Sequence, residues 1–258
     1  RLRFASSVAR VGQNIVPDWF VRKYKLANIP ISRFPVLNPK PFRTSVAEMH
    51  PVAGSSRGTV LYFTGCATNY IYDETGYSTL TLLHKMGYRV VIPAQQTCCS
   101  IPMLFHGAED GAKSNILQNL ECFNPEDAEA IIVDCPTCGS ALKKEYPRMM
   151  GRYGLNPDRA EAISGKVVDI MSFVYDRRDL IKIDTAIAEN QGGVSYHAPC
   201  HLKNCFSPAD RLLGELDGIE YLPAADSQEC CGGGGTFFYE YPDVSRGLAM
   251  RKIDNVRK

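Results

Sequence analysis

Short apolar runs alternate with amphipathic stretches along most of the chain from about residue 58 onward. Three runs rich in β-branched and aromatic residues have the length of buried strands, at residues 59–64, 88–92 and 130–133. Between them, residues 72–86 and 112–123 carry apolar side chains at helical spacing. Strands that alternate with helices of this length predict an α/β fold with a parallel sheet and right-handed crossovers.

The same alternation restarts in the second half of the chain. Residues 194–197 and 219–222 predict strands, residues 208–216 predict a helix between them, and a last helix begins at about Asp243. Residues 151–192 predict a mostly helical connection between the halves. An order of strand, cysteine, helix, strand, adjacent Cys-Cys pair and helix therefore occurs twice, which indicates an internal repeat.

We predict two repeated Rossmann-like halves with small parallel sheets, one at residues 48–150 and one at residues 193–258. Residues 1–47 have a different texture, with five prolines, nine Lys or Arg residues and one acidic residue, Asp18. Within this segment only residues 6–14 have a helical pattern. We therefore predict an extended basic strap that contains one short helix. We expect the strap to lie across the acidic remainder of the chain rather than on a membrane surface or nucleic acid.

Ten cysteines, eight of them placed by the repeat, are the candidate functional residues. The first set, in the first half, consists of Cys66, the adjacent pair Cys98-Cys99 and a CxxC motif formed by Cys135 and Cys138. The second set, in the second half, consists of Cys200 and the adjacent pair Cys230-Cys231. Projection of the repeat puts the second CxxC at about residue 267, so we expect the second unit to be truncated before it. Cys122 and Cys205 fall outside the repeat and are expected to be packing residues.

The first set predicts a metal site, because the carboxyl ends of parallel strands meet at one edge of a sheet. Five thiols are one more than tetrahedral zinc needs, and an adjacent pair suits an iron–sulfur cluster. Zinc bound by four of the five stays open as an alternative, because CxxC is common in zinc sites. A disulfide between adjacent cysteines would be strained. We expect no catalytic residue of the chain's own beyond this centre.

Four motifs resemble the cysteine-rich CCG domain family: residues 93–102 (PAQQTCCSIP), 135–147 (CPTCGSALKKEYP), 197–201 (HAPCH) and 229–236 (ECCGGGGT). This domain occurs in pairs in the B and D subunits of heterodisulfide reductase. It also occurs in iron–sulfur subunits of anaerobic glycerol-3-phosphate dehydrogenase, glycolate oxidase and lactate-utilisation complexes. The resemblance covers about residues 58–258. Ser100 stands where the family usually has glycine, so we expect backbone approach to the centre to differ there.

The resemblance implies a [4Fe–4S] cluster on the five cysteines of the first set, of the non-cubane type that heterodisulfide reductase carries in its B chain. It implies part of such a site on Cys200, Cys230 and Cys231. The implied role is electron transfer from a partner flavoprotein dehydrogenase, which oxidises a hydroxy acid or glycerol-3-phosphate, toward a membrane quinone-reducing subunit. Two alternatives are a disulfide-reducing catalytic subunit and a zinc-stabilised interaction module.

The sequence also sets expectations about location. No stretch approaches the roughly 20 apolar residues that a membrane-spanning helix needs, and no export signal begins the chain. We expect a cytoplasmic protein that meets the inner face of the membrane through its complex, without a transmembrane segment or nucleic-acid partner of its own.

Overall fold

A five-stranded, mostly parallel sheet forms the centre of the first half in a computed structural model, which describes residues 25–26, 29–30, 34–52, 54–181, 193–202, 208–216, 218–225 and 227–256. The strands in chain order are β3 Met49–His50, β4 Gly58–Phe63, β5 Tyr88–Val91, β6 Ala130–Val133 and β7 Val167–Asp169. Their order across the sheet is β3-β5-β4-β6-β7. The pairs β5–β4, β4–β6 and β6–β7 are parallel, and β3 is an antiparallel edge. Two shorter strands, β1 Lys25–Leu26 and β2 Ile29–Pro30, form a separate antiparallel pair.

Twelve helices lie in the described parts of the chain, most of them short. They are α1 Phe42–Ser45, α2 Gly65–Tyr70, α3 Asp73–Lys85, α4 Ile101–Phe105, α5 Glu109–Cys122, α6 Pro136–Ser140, α7 Tyr146–Arg152, α8 Asp158–Lys166, α9 Ile170–Tyr175, α10 Ala209–Gly214, α11 Phe237–Glu240 and α12 Pro242–Val256. A π-helical turn, Ala141–Glu145, joins α6 to α7. Within the described residues, no helix combines the length and the apolar character that crossing a membrane requires.

The sheet is buried on both faces because successive side chains of a strand point to opposite sides. Leu61 and Phe63 of β4 face a core formed with α5, α7 and α8, and Phe63 lies 5.6 Å from the Phe123 ring, centroid to centroid. Val60 and Tyr62 face a second core formed with α1, α3 and α9. Continuous apolar strands of this kind are typical of a parallel sheet covered by helices.

The strand and helix predictions for the first half are confirmed within a few residues. The mostly helical stretch after residue 150 has one feature that the pattern missed: β7 continues the sheet between α8 and α9. Val167 follows directly on α8, so the strand has no turn signal before it and its three residues are too short for a periodicity. The domain bounds themselves stay a prediction.

The second half forms less regular structure than predicted. Where two strands were predicted, the described residues form one isolated parallel bridge, between Val194 and Tyr221. Two main-chain hydrogen bonds hold it: Val194 N–H donates to Glu220 O at 2.9 Å, and Leu222 N–H donates to Val194 O at 2.8 Å. The predicted strands are thus wrong in length but right in direction, whereas α10 and α12 confirm the predicted helices.

Part of the predicted strap packs into the fold. Phe42 of α1 is fully buried, and its ring makes edge-to-face contacts with Tyr62 and Tyr77. An added Cβ on Gly76 would lie 2.8 Å from the Phe42 ring, so α3 needs glycine at this crossing. The helix predicted at residues 6–14 and Cys205 lie outside the described residues.

Candidate metal centre

The five cysteines of the first set meet at the carboxyl edge of the sheet. Cys66 lies in the first turn of α2, directly after β4. Cys98 and Cys99 lie in the loop after β5, Cys135 follows β6, and Cys138 lies in α6. Strands β5 and β6 lie on opposite sides of β4, so the set occupies the point where the direction of strand addition reverses. Ligands of open α/β sheets bind at such points.

The five thiols form one row of side-chain contacts. Its order along the row is Cys66, Cys98, Cys99, Cys138, Cys135. Cys99 and Cys138 are buried, and the other three are partly buried. The row thus brings together three segments that are far apart in sequence. Which of its cysteines bind a metal stays a prediction.

Two positions in the row favour the thiolate. Contact with Cys138 lowers the pKa of Cys135 to about 7 against the opposing effect of burial, and the backbone N–H groups of Cys138 and Thr137 lower it further. Contacts with Cys138 and then Cys98 hold the pKa of Cys99 well below its usual range. Both sulfurs are therefore prepared to act as anionic ligands.

At the other three positions the pKa of the thiol is raised. Contact with Cys98 and burial raise the pKa of Cys66, and contacts with Cys135 and Cys99 together with burial raise that of Cys138. For Cys98, contact with Cys66 lowers the pKa, but Cys99 and burial outweigh it and raise the pKa to about 11. Five adjacent sulfurs cannot all be ionised without a cation among them. The donor set therefore fits a positively charged iron–sulfur core.

The row is not preformed for a single ion. Among the described residues, no group of three or more His, Cys, Asp or Glu side chains is arranged to hold one metal ion. A zinc site needs four donors around one point, at about 2.3 Å for sulfur. The five thiols instead contact one another in succession, and five donors are more than one tetrahedral ion takes.

Gly65 gives the row room at the start of α2. Its φ is +58°, in the left-handed region. An added Cβ would lie 3.0 Å from Cys138 Sγ. Glycine at this position therefore allows both the turn from β4 into α2 and the close approach of Cys138.

Two buried amide side chains fix the loop that carries the Cys-Cys pair. Gln96 accepts a hydrogen bond from Thr64 N–H at 3.0 Å and donates to Tyr62 O and Pro93 O, which ties the loop to the end of β4. Asn119 of α5 accepts from Thr97 N–H at 2.7 Å and donates to Cys98 O at 3.1 Å. Sequence reasoning missed both residues.

The signal for Asn119 was present in the sequence. It lies on the same face of α5 as Ile116 and Leu120, where a polar residue is unexpected. A similar arrangement holds the loop before the second cysteine pair. Lys252 of α12 donates from Nζ to Ser227 O at 2.6 Å and to Glu229 O at 3.1 Å. Each Cys-Cys loop is thus held by a polar side chain of the second helix that follows it.

The second set is more open. Cys200 and Cys230 are exposed and Cys231 is partly buried, and Gly232 N–H donates to Cys230 Sγ at 3.3 Å. The backbone at Ser100 matches that at Gly232, each of which follows a cysteine pair, with φ of 74° and 75°. The expected difference at Ser100 is therefore not found in the backbone torsion.

The two halves touch beside the first set. Thr137, inside the CxxC motif, and Nδ1 of His201 share a hydrogen bond of 2.7 Å. Nε2 of His106 and the Thr236 hydroxyl share one of 3.0 Å. His197 Nδ1 donates to Ser227 O at 3.1 Å, which gives this histidine a structural bond.

The fold and the site together define a cysteine-rich α/β protein of two related units, with thiols gathered at the carboxyl ends of its strands. The profile of the cysteine-rich domain family, CCG, matches residues 60–143 and 194–258. These two segments make up more than half of the chain, so the chain belongs to the CCG cysteine-rich domain family. The resemblance in the cysteine motifs is confirmed.

Individual relatives cover most of the chain. Lactate utilization protein A of Exiguobacterium sp. is 30% identical over 200 residues, which are 76% of this chain and 80% of that protein. The B chain of the fumarate reductase (CoM/CoB) of Methanothermobacter marburgensis is 31% identical over 200 residues, which are 76% of this chain and 37% of that protein. An uncharacterized iron–sulfur protein of Methanococcus maripaludis is 27% identical, with the same coverage. The chain thus spans well under half the length of the last two.

Proposed function

We propose that the chain is an iron–sulfur electron carrier within a multi-subunit oxidoreductase. The observation that carries the proposal is the row of five thiols from three strand ends, from Cys66 to Cys135. The names of the relatives support it: one is an iron–sulfur protein, one a chain of a fumarate reductase and one a lactate utilization protein.

The first set would hold a [4Fe–4S] cluster, with the non-cubane form as the specific proposal for five ligands. When bound, such a cluster supplies a centre that takes up and releases one electron at a time. The chain's own residues tune it: Cys99 and Cys135 are prepared as thiolates, and the N–H groups of Thr137 and Cys138 point at Cys135. The ligands supplied by Cys200, Cys230 and Cys231 would form only part of a second site.

The proposed electron donor is a flavoprotein dehydrogenase that oxidises a hydroxy acid or glycerol-3-phosphate, and the proposed acceptor is a membrane quinone-reducing subunit. The complex would work at the cytoplasmic face of the membrane. The relatives named for lactate utilization and fumarate reduction support a small organic acid as the substrate of the whole complex.

The test is metal and sulfide analysis of anaerobically prepared protein, followed by electron paramagnetic resonance and redox titration. We expect about four iron and four sulfide per chain and visible absorbance that falls on reduction. Reduced flavin should bleach the centre, and a water-soluble quinone should restore its absorbance.

A zinc protein would give a different result. About one zinc per chain with no iron or sulfide would contradict the electron-carrier proposal and favour the interaction module. An iron–sulfur centre that exchanges no electrons with flavin or quinone would contradict the proposed partners but not the cluster.

A further inference from the structure

A cavity opens on one side of the cysteine row and extends away from it. Its volume is about 600 Å³, within the roughly 300–1,000 Å³ typical of small-molecule sites. Cys66 and Cys98 line it, whereas the other three cysteines of the first set do not. The cavity therefore reaches one end of the row from outside, and electron transfer alone does not require such a space.

Other lining residues of the cavity come from the N-terminal segment and from α5. Arg43 of α1 lines the cavity, as do Ser114, Asn115 and Gln118 of α5. Among the described lining residues Arg43 is the one side chain with a full charge at neutral pH, and Ser114, Asn115 and Gln118 offer neutral hydrogen-bonding groups. A guanidinium among neutral polar groups is a suitable partner for an anionic group.

Arg43 is held in place from both directions. Phe42 beside it is fixed in the core, and Arg43 N–H donates to Oδ1 of the buried Asn69 at 2.9 Å. Its guanidinium donates to the Gln96 carbonyl, in the loop that carries the Cys-Cys pair. A guanidinium is planar and always charged, and its fork of donors matches a carboxylate. A cation in this position would also offset the negative charge that Cys66 and Cys98 carry as metal ligands, which would otherwise repel an anion.

We propose that this cavity binds a small organic carboxylate, with the carboxylate on Arg43 and the rest of the molecule lying toward Cys66 and Cys98. The chain would then bind an organic acid next to its metal centre, in addition to carrying electrons. This goes beyond the proposed function, in which all substrate binding belongs to a partner. The N-terminal segment, which lies before the matched CCG residues, supplies the residue that selects the charge.

The test is isothermal titration calorimetry on the iron-loaded full chain, with L-lactate as the anionic probe and L-lactamide as a neutral probe of the same shape. We expect L-lactate to bind and L-lactamide to bind at least about 10-fold more weakly. Arg43→Gln should weaken L-lactate binding by about 10- to 100-fold, and Arg43→Lys by less. Arg89→Gln, outside this cavity, should leave binding unchanged.

A second pair of variants avoids the contacts that Arg43 makes with the fold. Ser114 is exposed on α5 and lines the cavity. Ser114→Asp should weaken L-lactate binding by about 10-fold or more through like-charge repulsion, whereas the neutral Ser114→Asn should not. Iron content and the thermal midpoint are measured on the same samples, so that loss of the anion site is separated from loss of the metal centre.

Three outcomes would overturn the site. The first is that Arg43→Gln leaves L-lactate binding unchanged. The second is that L-lactamide, or the neutral hydroxyethyl disulfide, binds as tightly as L-lactate. The third is that the iron-loaded chain does not bind L-lactate. If anaerobically prepared protein contained no iron and still bound L-lactate through Arg43, the electron-carrier proposal would be contradicted and the anion site supported.

Discussion

Ser100 and Gly232 adopt the same left-handed backbone conformation, with φ of 74° and 75°. Each directly follows an adjacent pair of cysteines, so the two units make the same turn at equivalent places. A residue with a Cβ loses roughly 1–3 kcal/mol in this conformation, and glycine does not. The serine therefore holds a strained turn beside Cys99, and the glycine holds the same turn without strain.

Replacing Ser100 with glycine should raise the free energy of unfolding by about 0.5–1 kcal/mol. Relief of strain exceeds the loss of the hydroxyl contact to Ala112 O, which is long at 3.3 Å. Urea denaturation measures the change. The matched control is Ser140→Gly, at a helical position with φ of −62°, where the same substitution should cost about 0.5–1 kcal/mol. Equal destabilisation by both changes would contradict strain at Ser100.

Gly232→Ala should destabilise the second unit by roughly 2–4 kcal/mol. An added Cβ would lie 2.6 Å from Ser245 O and 3.0 Å from Ser245 Cα, and neither backbone atom can move without shifting α12. Gly235→Ala separates the two causes, because Gly235 has φ of +57° but no heavy atom within 4 Å of an added Cβ. We expect it to cost about 1 kcal/mol. Urea denaturation, with hydrogen exchange across α12, would show whether the two variants differ.

Gly65→Ala should weaken the hold on the metal more than it weakens the fold. The new methyl group would lie 3.0 Å from Cys138 Sγ and move that sulfur away from its neighbours in the row. We expect iron to be lost to a chelator about 10-fold more readily. Gly154→Ala is the matched control, with φ of +66° and open space around an added Cβ. Similar iron loss in both variants would show that backbone strain, not the sulfur contact, is responsible.

The sequence specified the first half of the fold because its central strands are short apolar runs rich in β-branched and aromatic residues, separated by helices with a clear apolar face. It did not specify β7, whose three residues follow α8 without a turn. The convergence of the cysteines followed from topology alone, since residues after parallel strands meet at one edge. The role of Arg43 could not be predicted, because it depends on how a segment outside the repeat packs through Phe42.

Asn119→Ala should lower the free energy of unfolding by roughly 1–3 kcal/mol. The change leaves Thr97 N–H, the Cys98 carbonyl and the Tyr146 hydroxyl without their amide partner, and Asn119 and Tyr146 are both buried. The loop before Cys99 should loosen, so iron content should fall in parallel.

Asn115→Ala provides the comparison one turn earlier on α5. Its side-chain amide donates to Met103 Sδ at 3.3 Å, a weak acceptor at a partly buried position. We expect less than about 0.5 kcal/mol from this change. If urea denaturation and iron analysis gave equal losses for the two variants, Asn119 would not be what positions the Cys-Cys loop.

Cys99→Ser should remove the metal centre more completely than a change at any other position in the row. Cys99 contacts both Cys98 and Cys138, so it links the loop after β5 to α6. A serine hydroxyl in its place stays protonated where the thiol of Cys99 has a lowered pKa, and it is a poor ligand for iron. Iron and sulfide per chain, together with visible absorbance, measure the loss.

Two further cysteine variants decide where the metal is bound. Cys122→Ser should leave iron content unchanged, because Cys122 lies at the far end of α5 and outside the row. Cys230→Ser should also retain the iron of the first set, since Cys230 is exposed and its described partner is the Gly232 N–H. If Cys230→Ser removed as much iron as Cys99→Ser, the two sets would have to share one centre. The hydrogen bond between Thr137 and His201 would then join two parts of a single site rather than two neighbouring units.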